Sequence, residues 1–582
     1  MKTLKKLLIM LMVGCMAISS FAACGGTTAS SSSGGGDSQT SEPASDSSED
    51  PGKVEYEECT VTAVDYDAVD MSLADIDAWS TENNLDNRAY TTDGIVRSPY
   101  FQLSANGVNI PVYAERTTRG VHNIAYISVD GVSEGGKFLL NLELTTHEER
   151  TNPVVLPESS GVTAEVDGMK VTATVTEYGS YSFTFDRDKS GILNDGSKLP
   201  LTIMVKEKEE LVVPDGWTTQ TFEPGSYPID QLTFTEENTA YVFKRGRYDI
   251  DGIRINASNV IVFFEDGATL FAKPLTMNGS SPAVNDIISC NNRSNVKFIG
   301  RPAIDFSYRS GENNTRLMFS FEFCENIEFA GVNSVNSAGW TCCFTNCKDV
   351  LIRDLVLIAF RTYTDGVMLS DCQDVVVTGC FNRTGDDSME VKSTSGGLMK
   401  TDNILFEYNA VWTDKGIAYG AVYESNHDQK NVTWRHNSVG FALAQWTEHL
   451  ACTTVCIEGS NASVVNEDLH FEDIEIYQTY CAVTTIVLHN GGTVRNIYFK
   501  NIEAKYISLN QDIFRGPIDL VVKNSDGGDI NDFSIKNLYF DNIVVAGERL
   551  TSENKEEMVT YRFVDDFGFR YGYIRVDTLL DE

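Results

Sequence analysis

The chain has 582 residues, 42% of them hydrophobic and 22% charged, which supplies enough apolar material for a large core and excludes a wholly disordered protein. Lys plus Arg total 46 against 83 Asp plus Glu, a net charge of −37. Such an excess repels polyanions, so nucleic acid and anionic membrane surfaces are excluded as electrostatic partners.

At the N-terminus, Lys2, Lys5 and Lys6 precede the apolar run Leu7 to Met16 and the small-residue segment Ala17 to Ala23. That order marks residues 1–23 as an export signal. Cys24 follows in the context Phe21-Ala22-Ala23-Cys24, which resembles a bacterial lipoprotein signal. The resemblance implies lipidation at Cys24, a lipid anchor as the one membrane contact, and a place at the cell surface or envelope. Residues 24–54 read as an acidic Ser/Gly-rich linker with little apolar to pack. No later apolar run is long enough to span a bilayer as a helix.

Residues 55–212 contain short alternating runs, such as 138–146 and 169–185, separated by Gly, Asn and Asp turns. This pattern predicts a β-sandwich domain. From residue 213 the character changes to strands of three to six residues with Asn and Gly corners. Strand openings at Asn295, Asn326, Asp349, Asp374, Asn403 and Asn431 are separated by 31, 23, 25, 29 and 28 residues. Repeats of that length, without a helical pattern between them, predict a single-stranded right-handed parallel β-helix over 213–582, an all-β fold whose coils share one core.

Cysteine usage fits this repeat. An exported chain with 13 cysteines has a compartment that permits disulfides, yet Cys324, Cys347 and Cys372 recur at equal positions before Asn326, Asp349 and Asp374. Equal positions predict stacked, buried thiols. Cys342, Cys343 and Cys347 are the one short-spaced soft cluster, and neither a metal nor a cofactor is expected.

One coil is more polar than its neighbours. It runs from Arg361-Thr362-Tyr363-Thr364-Asp365-Gly366 to Thr384-Gly385-Asp386-Asp387-Ser388. Asp365 precedes Asp386 by 21 residues, nearly one coil, so stacked corners place it one rung, about 4.8 Å, from the acidic pair. Acids at that distance raise one another's pKa, which lets one stay protonated while another ionises, as glycosidic hydrolysis requires. Asp and Gly also make ordinary turns, and carboxylates on a β-helix can bind calcium, so both readings compete.

Thr364-Asp365-Gly366 and Gly385-Asp386-Asp387 resemble the active-site motifs of the polygalacturonase family of glycoside hydrolases, and a sandwich followed by a β-helix resembles the related dextranase and isopullulanase family. The resemblance implies an inverting hydrolase in which Asp386 is the general acid and Asp365 with Asp387 activates water. Departures accompany the match. Tyr363 stands where the polygalacturonase family usually carries Asn, and neither Gly-His-Gly nor Arg-Ile-Lys occurs in the chain. These departures turn the expected polysaccharide away from polygalacturonate, towards a neutral or differently charged glycan.

Aromatic residues thicken around this coil, with Trp340, Trp412, Trp434 and Trp446 within about 110 residues of one another. Tyr363, Trp412, Tyr419, Tyr423, Arg435, Lys392 and Trp446 are the candidate substrate-binding residues, and Glu424 a supporting acid. His436 and His449 read as corner or surface residues. The competing functions are a glycan-binding or adhesive β-helix without catalysis and a calcium-dependent polysaccharide lyase.

Overall fold

The computed structural model describes residues 54–76, 95–186, 199–273, 277–278, 281–282, 286–307, 317–394, 399–443, 451–458, 463–489, 491–509, 516–523, 533–564 and 574–577. The export signal and Cys24 lie outside them. The described chain is almost entirely β-structure.

Between Thr60–Ala63 and Leu201–Glu207 the strands form an eight-stranded and a five-stranded sheet, a sandwich-like unit. Leu140–Thr146 alternates between buried Leu140, Leu142, Leu144 and exposed Asn141, Glu143, Thr145, as a sheet with one wet face must. Gly120–Asp130 breaks that rule, since Val121 to Val129 are all buried. Val121, Ala125, Ile127 and Val129 enter the sandwich core, whereas Ile124 and Tyr126 pack with Phe271, Val356, Phe381 and Trp412 of the following unit. The sandwich therefore lies against the rest of the molecule.

From Thr218–Phe222 onward the chain winds as a parallel β-helix. Each central coil contributes three strands to three parallel columns; two are joined in a 23-stranded sheet and the third is a 12-stranded sheet. The strand openings anticipated from spacing are one corner of this winding. Asn295, Asn326, Asp349, Asp374, Asn403 and Asn431 all adopt left-handed backbone with φ between 53° and 58°. Asn and Asp tolerate that region, and their side chains bond from coil to coil. Asn326 Nδ2 donates to Asn295 Oδ1 at 2.6 Å, and Asn403 Nδ2 donates to Asp374 Oδ1 at 2.6 Å.

The core is filled by like residues stacked on like. Phe406, Trp434, Phe471, Phe499 and Phe540 form one column with ring centroids 4.5 to 5.6 Å apart. Trp434 is therefore a core residue. Cys324, Cys347 and Cys372 are buried free thiols, as equal spacing predicts, and Cys290 is a further one.

Candidate active site

Val367–Ser370 and Met389–Ser393 are neighbours in the 12-stranded column, paired in parallel with Met368 opposite Glu390 and Ser370 opposite Lys392. Thr364-Asp365-Gly366 enters the first strand and Gly385-Asp386-Asp387 enters the second, so the acidic corners stack. Gly366 N donates to Asp387 O at 2.8 Å, and Thr364 Oγ1 accepts from Gly385 N at 3.0 Å while donating to Arg361 O at 2.6 Å. A Cβ on Gly385 would collide with the Arg361 carbonyl, and one on Gly366 with the Ser388 carbonyl. Both glycines are there because backbone meets backbone at this corner.

The carboxyl groups meet around one ammonium. Oxygens of Asp365, Asp387 and Glu390 all lie within 4.8 Å of one another, and all three residues are buried. Lys392 Nζ donates to Asp365 Oδ2 at 3.0 Å and sits 3.2 Å from Glu390 Oε1 and 3.4 Å from Glu424 Oε2. It also lies 5.0 Å from the centroid of the Trp340 ring. Asp387 Oδ1 accepts from Ile417 N at 3.0 Å. Asp386 is half-buried, and its Oδ1 accepts from Asp387 N at 3.1 Å.

Burial, reinforced by Asp365 and Asp387, pushes the Asp386 carboxyl up to about 9. Burial also raises Asp387, to about 6, with Lys392 holding it down. Glu390 is pushed well above its ordinary value by burial. Burial opposes the charge on Lys392, but Asp365, Glu390, Asp387 and Glu424 together raise it well above the usual lysine range. Burial and its acidic neighbours thus favour a proton on Asp386, while Lys392 favours the ionised form of Asp387, a pairing suited to acid and base work on one substrate. Asp365, Asp387 and Glu390 also have the spacing of a metal-ligating group, but Lys392 already supplies a positive charge to them.

The structure brings together Asp365, Asp386, Asp387, Lys392 and Glu424. Tyr363, 62% exposed with φ 62°, flanks the Asp365 corner, and half-buried Tyr423 precedes Glu424. Three expected substrate contacts are corrected. Trp412 is 1% exposed and packs edge-on to His122 at 5.3 Å, because the sandwich covers its side of the coil. Tyr419 is wholly buried, its hydroxyl donating to the carbonyls of Asn409 and Ser438. Arg435 belongs to another column and pairs with Glu407 at 2.9 Å. Trp446 and His449 lie outside the described residues. His436 is a corner residue with φ 52°, stacked on Tyr408.

Glu390 is the site residue that sequence reasoning missed. The signal was present: in Met389–Ser393, Met389 and Val391 enter the core, so Glu390 must share the outer face with Lys392. The pair Asp371 and His427, 3.1 Å apart and just beyond the ends of Val367–Ser370 and Tyr419–Ser425, was also missed. Its members are 56 residues apart and carry no local pattern.

Comparison with known proteins follows the same lines. Over residues 306–515, less than half of the chain, the sequence matches the model of Glycosyl hydrolases family 28. A Polygalacturonase of Brassica napus is 27% identical over 202 residues, 31% of this chain and 47% of its own length. An Exopolygalacturonase of Zea mays is 24% identical over 242 residues, 39% of this chain and 52% of its own. The chain spans about half the length of the curated relatives it matches. Dex49A from Penicillium minioluteum shares the fold with a TM-score of 0.59 at 12% identity, over 84% of this chain and 98% of that one.

Proposed function

We propose that the protein hydrolyses O-glycosidic bonds of a polysaccharide with inversion. The observation that carries this reading is the stacking of the acids: half-buried Asp386 stands beside buried Asp387, which meets Asp365 and Glu390 around Lys392, and burial with the neighbouring acids favours the proton on Asp386. Asp386 protonates the leaving oxygen. Asp387 and Asp365 take the proton of the attacking water and orient it, and Lys392 holds Asp365 in place. Tyr363 offers an exposed ring at the rim on which a sugar can stack.

The similarity to family 28 over the acid-bearing coils supports a glycan substrate. The missing Arg-Ile-Lys and Gly-His-Gly favour a neutral or differently charged glycan over polygalacturonate. Export by the N-terminal signal and anchoring through Cys24 belong to the same proposal, which places the enzyme where polymeric substrates are found.

Asp386→Asn tests the assignment. Loss of a general acid lowers the rate by roughly 10²–10⁴-fold, with the fold intact by circular dichroism. An unchanged rate overturns the role. Following the anomer first released from a polysaccharide panel by NMR tests inversion. Unsaturated products absorbing in the ultraviolet and abolished by a chelator would replace hydrolysis with calcium-dependent elimination.

A further inference from the structure

The sandwich grips the acid-bearing coils through Phe360 and Arg383, each a few residues upstream of a group in the site. Phe360 leaves the β-helix and is 4% exposed within the sandwich core. Thr118 Oγ1 donates to its carbonyl at 3.2 Å, and the Arg116 guanidinium lies 4.5 Å from its ring centroid. The next residue, Arg361, is the one whose carbonyl receives Thr364 at the Asp365 corner.

The second contact continues as one buried chain. Arg383 Nη1 bonds His122 Nδ1 of the sandwich at 3.1 Å, while its Nη2 and Nε bond the two Asp414 oxygens at 2.9 and 3.3 Å. All three residues are 0% exposed. Guanidinium can only donate, so Nδ1 of His122 accepts and Nε2 carries the hydrogen towards Thr202 Oγ1, 2.7 Å away. Phe381 and Trp412 close over the imidazole at 5.0 and 5.3 Å. Arg383 stands three residues before Asp386, and Asp414 three before Ile417, whose N–H holds Asp387.

We propose that the N-terminal sandwich is a positioning element of the active site, with His122 acting through Arg383 and Asp414 to set the Asp386–Asp387 corner against Asp365. This inference rests on the reading of those aspartates as the reacting groups. Its physical basis is the cost of misplacement. Removing the imidazole takes one acceptor from a buried guanidinium and opens a cavity beside Trp412, so the strand Phe381–Thr384 relaxes and carries the corner with it. A shift of about 1 Å at reacting groups can cost 10²-fold in rate.

The test compares His122→Ala, His122→Gln and the milder Thr202→Val in the full chain, reading amide hydrogen exchange and hydrolysis. In His122→Ala, exchange across 383–389 should accelerate at least tenfold while 494–507, several coils away, stays as in the parent. The turnover number should fall at least tenfold with KM within twofold. Gln can accept from Arg383 and donate to Thr202, so it should restore both readouts; if His122→Ala does not fold, Thr202→Val should show the same local acceleration more weakly. Parental exchange at 383–389 in the folded variants, or acceleration spread evenly over all coils, overturns the inference. Exchange is read without any substrate, so a protein that cleaves no glycan refutes the hydrolase reading alone. Conversely, loss of activity in Asp386→Asn with parental exchange in His122→Ala refutes the positioning role alone.

Discussion

Two corners of the β-helix use aspartate in opposite ways. At the ladder corner, Asp374 is solvent-accessible and meets an amide, accepting from Asn403 Nδ2, and each coil contributes one short polar side chain with left-handed backbone. At the corner carrying Asp365, Asp386 and Asp387, acid lies over acid, mostly out of water, around one lysine. The first arrangement costs little because Asp374 keeps contact with water and has Lys348 Nζ 3.6 Å away. The second is held against its own electrostatics, and such local cost is characteristic of sites where chemistry is done. Asp349 lies one rung from Asp374 as well, but both keep contact with water, so burial of the stacked acids, more than their presence at a turn, separates scaffold from candidate catalyst in a chain with 83 acids.

The largest effect should come from Lys392→Met. Removing one partner from a buried ion cluster costs about 3–5 kcal/mol, and the loss in denaturant unfolding should be greater at pH 8 than at pH 5, where the carboxyls can take up protons instead. Hydrolysis should disappear with it. An undiminished stability at pH 8 would mean that the acids are not held by this ammonium.

Next is the pH profile of hydrolysis. Asp386 must keep its proton and Asp387 must lose its own, so the rate should be bell-shaped, rising near about 6 and falling near about 9. Asp386→Asn should remove the alkaline limb from any residual activity.

Stability offers a sharper contrast. A carboxyl whose folded pKa is raised binds a proton that the unfolded chain releases above about 3.9. Its contribution is complete below that pH and is lost as pH rises through about 9 for Asp386. Asp386→Asn should therefore stabilise the fold at pH 8, by about 1–3 kcal/mol, while abolishing function. Asp374→Asn should stay within about 0.5 kcal/mol of the parent at either pH, and its thermal midpoint should not move. Equal responses from the two corners would erase the distinction between them.

Local rules made much of this legible. The ladder corners were visible because the left-handed backbone admits few residue types, and it recurs once per coil. Cys324, Cys347 and Cys372 stack because each stands two residues before such a corner in successive coils. Asp365 and Asp387 could be brought together on paper because Thr364-Asp365-Gly366 and Gly385-Asp386-Asp387 are one coil apart and stacked coils are one rung apart. Glu390 is legible from strand alternation alone, three residues after Asp387 and on the face it shares with Lys392.

Trp412, Tyr419 and Arg435 show where local rules end. Each lies in a coil near the acids, and sequence distance alone made them candidates. A coil has three faces, however, and nothing in the spacing says which face is buried by a neighbour. The sandwich covers the face of Trp412, the hydroxyl of Tyr419 finds its acceptors inside the coil, and Arg435 pairs along a different column. By itself the sequence determined the repeat, the corners and the stacking of the acids, because these depend on backbone geometry repeated at short range. Only the tertiary structure decided which side chains face the acids and which the sandwich holds, because burial is set by contacts such as His122 with Arg383, 261 residues apart.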